Sequence, residues 1–90
     1  MKKIDRILLS YGRLEYNLPV GAEIIDVICQ FGEVYLYYSY DPEKWENETR
    51  VFIVTEPCNL DMHHKFYLDF YINSYGDAVF VVEDFSCTTA

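Results

Sequence analysis

Cys58, Asp61, His63 and His64 fall within seven residues, in "CNLDMHH", and Cys87 lies near the C-terminus. Thiol, imidazole and carboxylate are the groups that hold zinc or build a nucleophile–base pair. The spacing argues against both. Structural zinc sites draw on paired ligands such as C-x2-C, and Cys58-x4-His63 with a distant Cys87 lacks that pairing. A Cys58–His63 pair comes with no oxyanion loop and no orienting group. Glu83 and Asp84 are adjacent on an extended segment, so they point to opposite faces and make a poor carboxylate dyad. The glycines, Gly12, Gly21, Gly32 and Gly76, stand singly at turns, and no phosphate-cradling loop exists. Seven Lys and Arg residues are thin material for an anionic second messenger. The expectation is therefore a chain that is not an enzyme, with no metal and no cofactor.

Two other groups point to binding. Asp41, Glu43, Glu46 and Glu48 crowd "DPEKWENE" around Trp45. Such a loop is either a solvated acidic turn or a ligand for a basic groove, its carboxylates standing in for phosphates and Trp45 as anchor. Before it, "EVYLYYSY" places four tyrosines in six positions. Alternation puts Val34, Leu36, Tyr38 and Tyr40 on one side and Tyr35, Tyr37 and Ser39 on the other. "KFYLDFYIN" repeats the arrangement, with Phe66, Leu68, Phe70 and Ile72 inward and Tyr67, Asp69, Tyr71 and Asn73 outward. If the two strands share a sheet, Tyr35, Tyr37, Tyr67 and Tyr71 form one amphipathic patch with Asp69. Tyrosine suits a protein interface because it buries a large ring at small entropic cost and keeps a polar tip. It is also a favoured solvent-face strand residue.

The elements that must position these residues read almost entirely as strands. Period-two segments run through "KKIDRILL", "RLEYNL", "EIIDVICQF", "EVYLYYSY", "TRVFIVTE", "KFYLDFYIN" and "AVFVVEDF". They are separated by turn chemistry at Ser10–Gly12, Pro19–Gly21, Phe31–Glu33 and Ser74–Asp77, and by "DPEKWENE", an exposed loop or single helical turn with Pro42 near its first position. "EIIDVICQF" should pair antiparallel with "EVYLYYSY", presenting Ile25, Val27, Cys29 and Phe31 on one face. The last two strands should form a hairpin. "PCNLDMHHK" reads as irregular with one helical turn, and "SCTTA" as a frayed tail. The predicted fold class is all-β, a single domain over residues 1–90. Its form is a small antiparallel β-sandwich or barrel of six to seven strands with short loops. Ile25, Val27, Leu36, Ile53, Leu68 and Val81 are the expected core.

Charge limits the partners. The chain carries −8, split as +2 over residues 1–22 and −10 over residues 23–90. An acidic surface repels nucleic acid and attracts basic proteins. No apolar run reaches the length of a membrane span, and the charged start Met1–Arg6 does not read as a signal peptide. An odd cysteine count fits a reducing compartment. These features predict a cytoplasmic protein with a basic protein partner or a homo-oligomer, no direct nucleic acid and no membrane.

The segment "LPVGAEIIDVICQFGEVYLYYSYDPE", followed by "TRVFIVTE" and a late "YLDFYI…GDAVFVVEDF", resembles a family of small bacteriophage and prophage β proteins. The matching positions are Leu18, Pro19, Gly21, Ala22, Gln30, Asp41, Pro42, Arg50 and Phe52, and the similarity spans Lys3 to Phe85. The chain departs from the pattern at "TEPCNLDMHHK", where relatives carry a Gly-Thr-Gly-like turn. The resemblance implies a compact β fold and a phage origin, hence action in the host bacterial cytoplasm; it implies no activity. Joined to the charge and the missing reaction motifs, it predicts a non-enzymatic inhibitor of a host antiviral defence enzyme, of anti-CRISPR or anti-restriction type. The alternative is a virion structural or assembly protein forming a homo-oligomer.

Overall fold

Each tight turn anticipated above falls between two strands in the computed structural model, which describes residues 1–85. Seven strands result: β1 (Lys3–Leu9), β2 (Gly12–Pro19), β3 (Glu23–Gln30), β4 (Glu33–Tyr40), β5 (Asn47–Thr55), β6 (Lys65–Ile72) and β7 (Ala78–Asp84). All pairing is antiparallel, in a three-stranded sheet of order β1-β4-β3 and a four-stranded sheet of order β2-β5-β7-β6. The protein is thus a small β-sandwich. A single 3-10 turn, Pro57–Asn59, is the helical turn expected in "PCNLDMHHK". Cys87 and the tail "SCTTA" lie outside the described residues.

The chain changes sheets at three of its connections. β1 and β2 flank Ser10–Tyr11 yet belong to different sheets, as do β2 and β3, and β4 and β5. The β3–β4 hairpin closes through Phe31 and Gly32, whose φ values are 53° and 77°. A two-residue turn of this kind matches the right-handed strand twist, and Asn-Gly is its usual occupant. In the β6–β7 hairpin, the Asn73 side chain accepts N–H bonds from Tyr75 and Asp77, both at 2.9 Å. β5 and β6 both run antiparallel to β7 between them, so segment 56–64 carries the chain across β7.

The inward faces supply the core: Leu9, Leu18, Val27, Val34, Leu36, Tyr38, Phe52, Val54, Val79 and Val81 are all buried. Three of the six expected core residues, Val27, Leu36 and Val81, are among them, and Leu68 packs partly buried against it. Ile25 and Ile53 are corrections. A bulge between Ile24 and Asp26 inserts one residue into β3, so Ile24 and Val27 face inward and Ile25 is 51% exposed. Period two fails wherever a residue is inserted. Cys29 keeps the Val27 face, opposite Val34, but is exposed near the end of the edge strand β3, and Phe31 is exposed because it sits in the turn. Ile53 pairs with Arg13 and Val82 on the outward face of the four-stranded sheet and is half-buried there.

β6 carries a second bulge, between Tyr67 and Asp69. Beyond it the alternation inverts: Asp69 and Tyr71 lie opposite the core residues Val81 and Val79, while Phe70 and Ile72 are exposed. The expected assignment of Phe70 and Ile72 inward, Asp69 and Tyr71 outward, is therefore reversed.

A buried ion pair locks one end of the sandwich. Arg50 donates from Nε and Nη2 to the two Glu83 oxygens at 2.6 and 2.7 Å, and from Nη1 to the Ala22 carbonyl at 2.5 Å. β5, β7 and the turn before β3 are thereby tied together. Both guanidinium and carboxylate are short of water, and the bidentate geometry is what compensates them. Glu83 and Asp84 do point to opposite faces, Glu83 beside Phe52 and Asp84 beside Val51.

Candidate protein-binding surfaces

The acidic loop is held in one shape by the β2–β3 turn. Pro42 occupies the second position of a turn in which the Asp41 carbonyl accepts the Lys44 N–H at 3.0 Å. The Asp41 carboxylate accepts the Glu43 N–H at 3.0 Å. Val20 donates to the Glu46 carbonyl at 2.9 Å, and Gly21 donates to Glu48 Oε2 at 3.1 Å. Trp45 is left 84% exposed. With Val20, Glu43, Lys44 and Glu46 it lines a shallow recess of about 330 Å³. The exposed indole thus sits on a pinned loop with Glu43, Lys44 and Glu46 beside it. Asp41, Glu43, Trp45, Glu46 and Glu48 are thus brought together.

The tyrosines are not. β4 lies in the three-stranded sheet and β6 in the four-stranded one, so the single patch of four rings with Asp69 does not form. Tyr35 and Tyr37 face outward on β4 as expected. Arg6 stacks over the Tyr35 ring at 4.2 Å and donates to the Tyr37 hydroxyl at 3.2 Å. Tyr35 donates to Glu33 Oε2 at 3.4 Å. Tyr67 lies on the far side of the molecule, edge-on to Phe80 with centroids 5.3 Å apart. Tyr71 is packed against the core, and burial raises its hydroxyl above the usual tyrosine pKa, with Cys29 and Glu56 adding to the shift. Asp69 accepts the N–H of Phe70 at 2.8 Å.

Asp69 has two counterparts. Asp5 on β1 and Asp26 on β3 each accept the N–H of the following residue, also at 2.8 Å. All three stand on sheet edges, and the fourth edge strand, β2, ends in Pro19. Occupied donors and a proline blunt edges that would otherwise recruit foreign strands.

The outward face of the three-stranded sheet is the surface that sequence reasoning missed. Its cross-strand rows are Leu8–Tyr35–Ile28 and Arg6–Tyr37–Asp26, followed by Ile4–Ser39–Glu23. Ile4, Leu8, Ile25 and Ile28 are exposed on or beside it. Phe31, at the hairpin tip, is 94% exposed and in a left-handed backbone. A bulky residue there is uncommon, since Asn or Gly would relieve the strain. The Phe-Gly dipeptide where a two-residue hairpin wants Asn-Gly was the signal available in the sequence.

Around the Cys58–His64 segment, the His63 and His64 rings meet edge-on at 3.9 Å between centroids. Among the described residues, no three His, Cys, Asp or Glu side chains are placed to hold a metal ion, and no helix is long and apolar enough to cross a membrane. Fold and surfaces together define an all-β sandwich with an exposed acidic loop. Comparison with family models, curated proteins and solved structures finds no match to this chain.

Proposed function

We propose that the chain is a phage-encoded, non-enzymatic inhibitor that docks its Asp41–Glu48 loop on a basic surface of a host defence enzyme, of CRISPR-effector or restriction-nuclease type, in the host cytoplasm. The observation that carries this is Trp45, exposed on a loop that two backbone hydrogen bonds and two backbone-to-carboxylate bonds hold in place, between Glu43 and Glu46. Nucleases expose basic grooves for phosphates, and carboxylates set around an aromatic anchor meet such a groove with complementary charge. The −10 carried by residues 23–90 steers the encounter. The phage resemblance supports the setting.

The test is capture from host lysate with the tagged chain, followed by W45A and the double reversal E43K/E46K. W45A is expected to weaken the captured complex by about 2 kcal/mol or more with an unchanged melting temperature. E43K/E46K should act on association rate and flatten its salt dependence. Capture of a defence nuclease that ignores both variants would refute the assigned surface, and capture of capsid or tail proteins alone would favour a virion role. The bare outward face of the three-stranded sheet favours self-association in either setting.

A further inference from the structure

We infer that the outward face of the three-stranded sheet is a two-fold dimer interface whose occupant is a second copy of this chain, independent of the proposed target. Among the described residues nothing crosses this face. β3 and β4 are joined by two residues, and the other connections from this sheet lead to its partner sheet. The face is also only weakly acidic in a strongly acidic molecule. Its charged residues Lys2, Arg6, Glu23, Asp26 and Glu33 give +2 and −3, a sum of −1 in a chain of −8. Two copies of such a chain repel, and they repel little where the charges of the face nearly cancel.

The layout is self-complementary. An isologous contact places each residue against its mirror position, so the charges must be antisymmetric about the axis. The Arg6–Tyr37–Asp26 row meets this condition for a two-fold axis lying between the faces and parallel to β4; Glu33, at the hairpin end of β4, is the one charge that such an axis sets beside its own copy. That rotation exchanges the β1 side with the β3 side. Arg6 then faces Asp26 of the second copy, and Asp26 faces its Arg6. Lys2, already bonded to Glu23 across Ser39 within one copy, gains the second copy's Glu23 as neighbour. Leu8 meets Ile28, Tyr35 meets Tyr35, and Tyr37 meets Tyr37. In the Arg6–Tyr37–Asp26 row the cation stands on β1 and the anion on β3; in the next row Ile4 meets Glu23 with Lys2 beside it, and the Leu8–Tyr35–Ile28 row carries no charge. A basic host surface would find Lys2 and Arg6 in its way, and an acidic one would find Glu23 and Asp26. A second copy satisfies all four.

Three strands spaced about 4.8 Å apart and about seven residues long give a footprint of roughly 15 by 25 Å. That is at the small end for specific association, so a dissociation constant on the order of 1–100 µM is expected. The experiment is sedimentation equilibrium of the full chain from micromolar to several hundred micromolar. Wild type, R6E, D26R and the charge-swapped R6D/D26R are compared. Each single reversal should weaken the dimer at least tenfold, by setting like charges against each other. The swap should return it to within about threefold of wild type. Because Asp26 also accepts the Val27 N–H, D26R could disturb the bulge. L8K, at an exposed position, sets an ammonium against Ile28 of the second copy and gives an independent reading. It should weaken the dimer with an unchanged melting temperature. A wild-type chain monomeric throughout the range, a dimer indifferent to R6E and L8K, or a swap that keeps the wild-type melting temperature yet fails to restore the dimer would overturn the inference.

Discussion

Replacing Arg50 by Met tests the ion pair at the end of the sandwich. The Glu83 side chain is 4% exposed and that of Arg50 15%. Both charge-assisted bonds to the Glu83 carboxylate come from that one guanidinium. R50M keeps the aliphatic volume and leaves a buried carboxylate without its partner, which costs about 3–5 kcal/mol. A domain of this size has roughly 5–15 kcal/mol in total, so the melting midpoint should fall by roughly 15–30 °C. Thermal and urea unfolding followed by circular dichroism measure the loss. The control is R50M/E83M. With both charges removed and apolar volume in their place, most of the loss should be recovered. A single variant costing under about 1 kcal/mol would show that water reaches Glu83. A double variant as unstable as the single would show that the site needs the Arg50 bond to the Ala22 carbonyl more than the pair.

Two further expectations follow from single groups. Burial, aided by Asp5, raises the Tyr38 hydroxyl above the usual tyrosine range, and burial does the same to Tyr71. Their folded-state pKa values exceed the unfolded ones, so the stability they contribute is complete below about pH 10 and lost as pH rises through the folded values. Melting temperature scanned from neutral to strongly alkaline pH should fall above that point, and less in Y38F/Y71F; equal falls would refute the assignment. At the β3–β4 turn, F31N should stabilise the fold by about 0.5–1 kcal/mol, roughly 3–6 °C, because Asn tolerates the left-handed backbone. A destabilised F31N would mean that the ring packs somewhere despite its exposure.

Strand identity was legible because alternating apolar residues and turn chemistry agree along nearly the whole chain. Val34, Leu36 and Tyr38 face inward as alternation requires, since β4 has no bulge. The misreadings at Ile25 and at Phe70 to Ile72 share one cause: an inserted residue shifts the phase and leaves the local composition unchanged. Sheet membership was not legible either. Nothing in "KKIDRILL" or "RLEYNL" says that consecutive strands part company at Ser10–Tyr11, and the tyrosine patch failed on that point. The crowding of acids around Trp45 is local and was readable, but the hold of Val20 and Gly21 on Glu46 and Glu48 was not. The outward face with Arg6 and Asp26 was not, because its rows join residues from three separate strands. The buried role of Glu83 depends on Arg50, thirty-three positions away.

The order of strands in the sheets also governs how the chain can reach them in time. β3–β4 and β6–β7 close locally, whereas β2–β5 must bracket the first hairpin and β1–β4 must reach over both β2 and β3. Each of those closures loses less entropy once the hairpin inside it has shortened the loop. Pairings this distant put refolding in the millisecond-to-second range typical of sandwiches. β1 then has no template until β4 is in place, and pulsed hydrogen exchange should find its amides protected late. Until then β4 is an open edge, and the aspartate on β1 that guards the finished sheet is not yet there to guard it. The interval between hairpin closure and the arrival of β1 is when two nascent chains are most able to exchange their first strands.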